Sequence, residues 1–130
     1  SYIPKNNRSE ITETESNVII MDAYNANPSS MKAMLDSFAK QKYKNKLCIL
    51  GDMLEMGEFS NNEHAEIIKT CQKLKLDTLF VGGEFSKLSN EAFENLIDLK
   101  SFIKQHPIKN KTILLKGSRG IGLENLVSSL

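Results

Sequence analysis

Cysteine, histidine and long apolar runs are scarce in this chain of 130 residues, and each shortage removes a class of function. Two cysteines make no disulfide framework. Cys48 falls inside an apolar run and Cys71 on the apolar face of a helical pattern, so both read as buried, reduced thiols. His64 and His106 are the only histidines, neither at close spacing to a cysteine, and no metal site is expected. No apolar stretch approaches the roughly 18 residues that span a bilayer, and no signal peptide opens the sequence. A soluble, cytoplasmic chain with no membrane partner is therefore expected. Excess charge is missing too. The net charge is +1, and the basic run KQKYKNK at 40 to 46 falls where a helix should end, where lysines complement the helix dipole. No nucleic-acid partner is expected from it. No G-x-x-x-x-G-K-[ST] phosphate loop and no G-x-G-x-x-G fingerprint occurs, so a complete nucleotide-hydrolysing site is absent from these residues.

What is present is an ordinary globular balance, 40% hydrophobic and 25% charged, at a length that suits one domain. The stretch VIIMDAYNANP at 18 to 28 organises it. Four apolar residues read as a buried strand, the chain turns polar at Asp22, and Asn27 and Pro28 suit the N-cap and first position of a helix. Met31, Met34, Leu35, Phe38 and Ala39 then recur at helical spacing. Upstream, residues 10 to 15 alternate Ile and Thr with acids as a short edge strand, turning through Ser16 and Asn17. Downstream come a strand at 46 to 50, a loop at 51 to 59, and a helix opened by a Ser60/Glu63 capping box and striped by His64, Ile67, Ile68, Cys71 and Leu74. His64 is expected at the edge of that helix. A strand at 78 to 81, a short helix at 86 to 93, a helix at 98 to 105 stopped before Pro107, a strand at 112 to 115 and a final helix carrying Leu123, Leu126, Val127 and Leu130 complete the order. This alternation predicts an α/β domain of three layers: a mostly parallel sheet, helices on both faces, and an N-terminal antiparallel edge strand.

All seven glycines, at 51, 57, 82, 83, 117, 120 and 122, follow predicted strands. Together with the turn at 22 to 27 they mark one rim of the sheet as the working edge, where open α/β sheets hold ligands. The candidate holders there are Lys116 and Arg119 as cations, Ser118 as hydroxyl, Asp22, Asp52 and Glu55 as acids, and Asn25 and Asn27 as amides. An arginine beside backbone N–H groups suits a carboxylate or phosphate, and equally suits a surface residue serving its own neighbourhood. Asp22 reads as a ligand holder or a turn carboxylate, and Asn27 first as a helix cap. Spacing alone leaves these alternatives open.

Four motifs in order, NNRSE at 6 to 10, DAYNANPSSM at 22 to 31, GDMLEMGE at 51 to 58 and KGSRG at 116 to 120, followed by Leu123 and Glu124, resemble the C-terminal domain of the Mur ligases. The resemblance covers nearly the whole chain. Glu10 departs from it where glutamine is common, and Met56 where leucine is common. It implies a Rossmann-like C-terminal domain over 1 to 130, with 1 to 9 as an interdomain linker, in a three-domain bacterial enzyme expected to act as a monomer. The member it is most similar to joins D-alanyl-D-alanine to UDP-N-acetylmuramoyl-tripeptide through an acyl phosphate. ATP and Mg²⁺ would be held mainly by a central ATPase domain, against which this domain would close, and the isolated domain would not catalyse. By the same resemblance Arg8 and Asp22 bind ATP, and Asn25, Asn27, Ser118 and Arg119 bind the dipeptide, with the loop at 82 to 86 lining the pocket. Asp52, Glu55 and Lys116 support the rim. A sister ligase with another amino acid, or a stand-alone module for a small anion, are the other readings. A phosphate-accepting receiver domain fits poorly, because Gly82 and Gly83 stand where it needs an aspartate.

Overall fold

A computed structural model describes residues 9–22 and 25–130. Strand β1 (Glu10–Glu13) leads into β2 (Val18–Asp22), α1 (Pro28–Lys40), β3 (Lys46–Gly51), α2 (Ser60–Lys73), β4 (Thr78–Val81), α3 (Gly83–Ser86), α4 (Leu96–Gln105) and β5 (Thr112–Lys116). Three 3-10 segments, Gly57–Phe59, Arg119–Ile121 and Leu123–Ser129, complete it. The strands form one sheet in the order β1-β2-β5-β3-β4. Only β1 is antiparallel to its neighbour; β2, β5, β3 and β4 run parallel. The expected α/β architecture with an antiparallel edge strand is what forms. All four residues of β1 are exposed, and Glu10 and Glu13 on that open edge discourage further strand pairing.

Alternation along the central strands divides the core in two. Ile20, Cys48, Leu50 and Leu114 face one side, where Met31, Leu35 and Phe38 of α1, Ile67 and Cys71 of α2 and Phe85 of α3 cover them. Ile19, Leu47, Ile49, Ile113 and Leu115 face the other, under Leu99 and Ile103 of α4, Leu123 and Leu126 of the last segment, and Leu130 that follows it. Each such side chain gains roughly 1.5–3 kcal/mol by leaving water. Burial also pushes the Cys48 thiol well above its usual range and raises that of Cys71, which keeps both protonated and inert.

Helix α1 starts as its sequence dictates. Asn27 Oδ1 accepts the Ser30 N–H at 2.9 Å, and the Ser30 hydroxyl accepts the Asn27 N–H at 3.0 Å. Four local expectations need correction. The Ser60/Glu63 capping box does not form: Ser60 is already helical, because the 3-10 turn Gly57–Phe59 runs straight into α2 and Gly57 O accepts the Ser60 N–H. The helix expected at 86 to 93 lies earlier, at Gly83–Ser86, where a distant carboxylate caps it. The last helix is a 3-10 segment, with Leu123 and Leu126 buried three residues apart. His64 is fully buried, not at a helix edge.

Candidate functional site

The four parallel strands deliver Asp22, Lys116, Asp52 and Gly82 to one rim. Two carboxylates stand there on either side of the central strand β5. Asp22 ends β2, and Asp52 follows the last residue of β3.

Asp22 lies opposite Lys116 in the β2–β5 register. The Lys116 ammonium donates to Asp22 Oδ2 at 2.9 Å and to the Asn25 carbonyl at 3.0 Å. The lysine side chain is 1% exposed and the aspartate 17%. A buried ammonium is tolerable only with such partners, so the pair and the carbonyl fix one another. Asn25 itself is exposed, shortly before α1.

Asp52 is served by the main chain. Its two oxygens accept the Glu84 N–H at 2.9 Å and the Phe85 N–H at 3.0 Å, the first donors of α3. Gly82 makes this approach feasible: its φ is +131°, and a Cβ there would fall 2.2 Å from the Asp52 carboxyl carbon. The Asp52 carbonyl accepts the Ser118 N–H at 3.0 Å, and the Ser118 hydroxyl accepts the Leu54 N–H at 2.8 Å. His64 Nε2 accepts the Met53 N–H at 3.0 Å while Nδ1 donates to the Ser60 carbonyl at 2.8 Å. This fixes the Nδ1–H tautomer, so the 4.0 Å approach of Nε2 to Asp52 is not an ion pair. The Ser60 hydroxyl donates to Glu84, and with Lys87 it holds the Glu84 carboxyl below the usual carboxylate range.

The structure thus brings Asp22, Asn25 and Lys116 together on one side of β5, and Asp52 and Ser118 together on the other. Arg119 is exposed at the start of the turn Arg119–Ile121. Glu55 is exposed in left-handed backbone, φ 63°. Asn27 spends its side-chain oxygen on the helix cap. Arg8 lies outside the described residues. Beside Arg119, a depression of about 260 Å³ is lined by Gly82, Gly83, Leu96, Ile97, Gly120 and Ile121. Sequence reasoning missed His64 and Ser60 as parts of the rim, and reached Glu84 only as a member of the loop at 82 to 86. Ser60 and His64 share a helix face at i, i+4, and that spacing was the available signal.

The family described as "Mur ligase, glutamate ligase domain" matches residues 7–119. The UDP-N-acetylmuramoyl-tripeptide--D-alanyl-D-alanine ligase of Bacillus subtilis is 34% identical over 95% of this chain and 30% of its own length. The Rickettsia prowazekii protein of the same name is 31% identical over 92% of this chain and 29% of its own. A crystal structure of MurF from Acinetobacter baumannii superposes over 100% of this chain and 30% of that one, with a TM-score of 0.79 and 27% identity. MurF of Thermotoga maritima, in complex with ADP, shares the fold at a TM-score of 0.76 and 20% identity, over 99% of this chain and 31% of that one. The chain therefore spans about 30% of the length of the relatives it matches.

Proposed function

This chain belongs to the Mur ligase family, and from that membership we propose that it is the C-terminal domain, with 1 to 9 as linker, of an ATP-dependent ligase joining D-alanyl-D-alanine to UDP-N-acetylmuramoyl-tripeptide. The observation that carries the reading is that the family match, 7–119, runs through the rim itself, from Asp22 to Arg119. In this reading the tripeptide carboxylate is activated as an acyl phosphate on the central domain. The dipeptide amine attacks its carbonyl carbon, and phosphate leaves with the electron pair of the broken C–O bond. Closure of this domain keeps water from competing.

The roles of this chain's residues are those the family resemblance implies, and their chemistry suits them. Asp22, acidic and partly open at a strand end, suits the ribose or phosphate side of ATP, with Arg8 as its companion. Arg119, exposed and beside Ser118, suits the dipeptide carboxylate, with Asn25 and Asn27 across the rim and the depression at Gly82, Gly83 and Ile121 receiving the methyl groups. Asp52, Glu55 and Lys116 support the rim. In this reading ATP and Mg²⁺ are held mainly by the central domain, as the family resemblance implies. The enzyme is taken as a monomer of the bacterial cytoplasm; no helix among the described residues is long and apolar enough to cross a membrane.

The deciding experiment is ATP-dependent phosphate release by the full-length protein with UDP-N-acetylmuramoyl-tripeptide and, in turn, D-alanyl-D-alanine, L-lysine or meso-diaminopimelate. Release with the dipeptide alone is expected. Release with another amine would point to a sister ligase, and release with none to a small-anion module. Within an active enzyme, Arg119→Ala should raise the dipeptide KM roughly 10- to 150-fold, the worth of a charge-assisted hydrogen bond. An unchanged KM would remove Arg119 from the site.

A further inference from the structure

We infer that Lys116 is a positioning residue for the nucleotide side of the site: it sets the Asp22 carboxylate and the Asn25 backbone, and takes no ligand itself. This assignment rests on the ligase reading above, in which Asp22 meets ATP. By sequence, Lys116 and Arg119 are alike, two cations following the last strand on a ligand-binding rim. Their surroundings separate them. Arg119 is exposed, whereas the Lys116 side chain is 1% exposed and its ammonium lies against Asp22 Oδ2 and the Asn25 carbonyl, 2.9 and 3.0 Å away.

The sheet itself, with no ligand needed, builds this arrangement. Asp22 and Lys116 are paired residues of adjacent parallel strands, and the ladder extends four residues back from them, through Val18 and Thr112. Of the two acceptors, Asp22 ends β2 and Asn25 lies shortly before α1. One ammonium thereby ties the end of β2 to the approach to α1 and holds the Asp22 carboxylate in one orientation. A carboxylate that must present itself to a hydroxyl or phosphate-bearing ligand profits from that, because the cost of orienting it is met before binding. A direct phosphate contact would instead require the buried lysine to abandon its partners, leaving the half-buried Asp22 charge unpaired.

The test uses the full-length protein and three variants, Asp22→Asn, Lys116→Met and the double variant, with ATP KM, dipeptide KM and ADP affinity by calorimetry as readouts. Asp22→Asn and Lys116→Met should each raise the ATP KM roughly 10- to 150-fold, the range for losing a bond to a charged group. The double variant should be no weaker toward ATP or ADP than Asp22→Asn; the dipeptide KM should hold steady in Asp22→Asn and, in the two Lys116 variants, rise by less than the ATP KM, through the freed Asn25 backbone. A double variant weaker than Asp22→Asn by tenfold or more would make Lys116 a ligand and overturn the inference. So would an unchanged ATP KM in Lys116→Met, or a dipeptide KM that rises in step. If Lys116→Met does not fold, Asp22→Asn against the double variant still decides, since the double variant buries no unpaired charge. A wild type that binds ADP without ligating would sink the ligase reading and leave calorimetry to judge Lys116; one that binds no ADP would overturn both.

Discussion

Asp22 and Asp52 flank the same central strand at its carboxyl end, Asp52 two residues beyond the level of Asp22, and the protein answers their charges by different means. Asp22 meets a side-chain cation, Lys116, and keeps part of its surface in water. Asp52 meets two backbone N–H groups and is almost wholly buried. A carboxylate capped by main chain is part of the scaffold, since its removal orphans groups that cannot move away. A carboxylate matched to a lysine keeps its charge at the surface and can be shared with a ligand. The difference sorts two acids of one type, at one kind of position, into a ligand holder and a structural cap.

The ionic side offers the largest effect. Lys116→Met leaves Asp22 beside an apolar side chain and frees the Asn25 carbonyl, and breaking a buried pair from one side costs about 3–5 kcal/mol. Urea unfolding of the chain should show that loss, and adding Asp22→Asn should recover much of it. A loss below about 1 kcal/mol, the level of an exposed pair, would mean that burial does not set the energy of this contact and would break the comparison.

On the main-chain side, Asp52→Ala strands the Glu84 and Phe85 N–H groups, the second of them buried. At about 1–3 kcal/mol per unsatisfied buried group, a loss of about 2–4 kcal/mol is expected in the same urea measurement. Amide exchange sharpens the contrast. Asp52→Ala should speed exchange at Glu84 and Phe85 and leave the β2–β5 ladder protected, whereas Lys116→Met should leave Glu84 and Phe85 protected. Loosening of both regions by either variant would show that the rim behaves as one unit.

Much of this fold was legible because its signals are local. The apolar run at 18 to 21, the Asn27–Pro28 helix start and the stripes of α1 and α2 each lie within a dozen residues. What escaped depends on distant partners. Ser60 and Glu63 have the spacing of a capping box, but the preceding 3-10 turn already supplies the acceptor for the Ser60 N–H. The helix at Gly83–Ser86 is set by Asp52, 32 residues before Glu84, and no local pattern carries that. The site divides likewise. That Asp22, Asp52, Lys116 and Ser118 share a rim could be read from their positions after strands. That Lys116 is spent on Asp22, and the Ser118 hydroxyl on Leu54, could not.

The smallest effect lies at the edge of the main-chain side, at Glu84. Its carboxyl is held below the usual range first by the Ser60 hydroxyl and then by Lys87. A depressed carboxyl contributes stability that is fully present above the unfolded-state carboxylate range and is lost as pH falls through the folded value. Ser60→Ala removes the larger cause, so the Glu84 titration, followed by NMR at its side-chain carbonyl, should move upward. The stability gap between wild type and Ser60→Ala should be widest near neutral pH and shrink in acid, because the hydroxyl is then bonded to an uncharged acid. Ser60 Oγ also lies 3.2 Å from His64 Nδ1. A gap that stayed constant as Glu84 became protonated would assign the hydroxyl's contribution to the histidine, and the main-chain side of the rim would then contain no charge-dependent bond at this position.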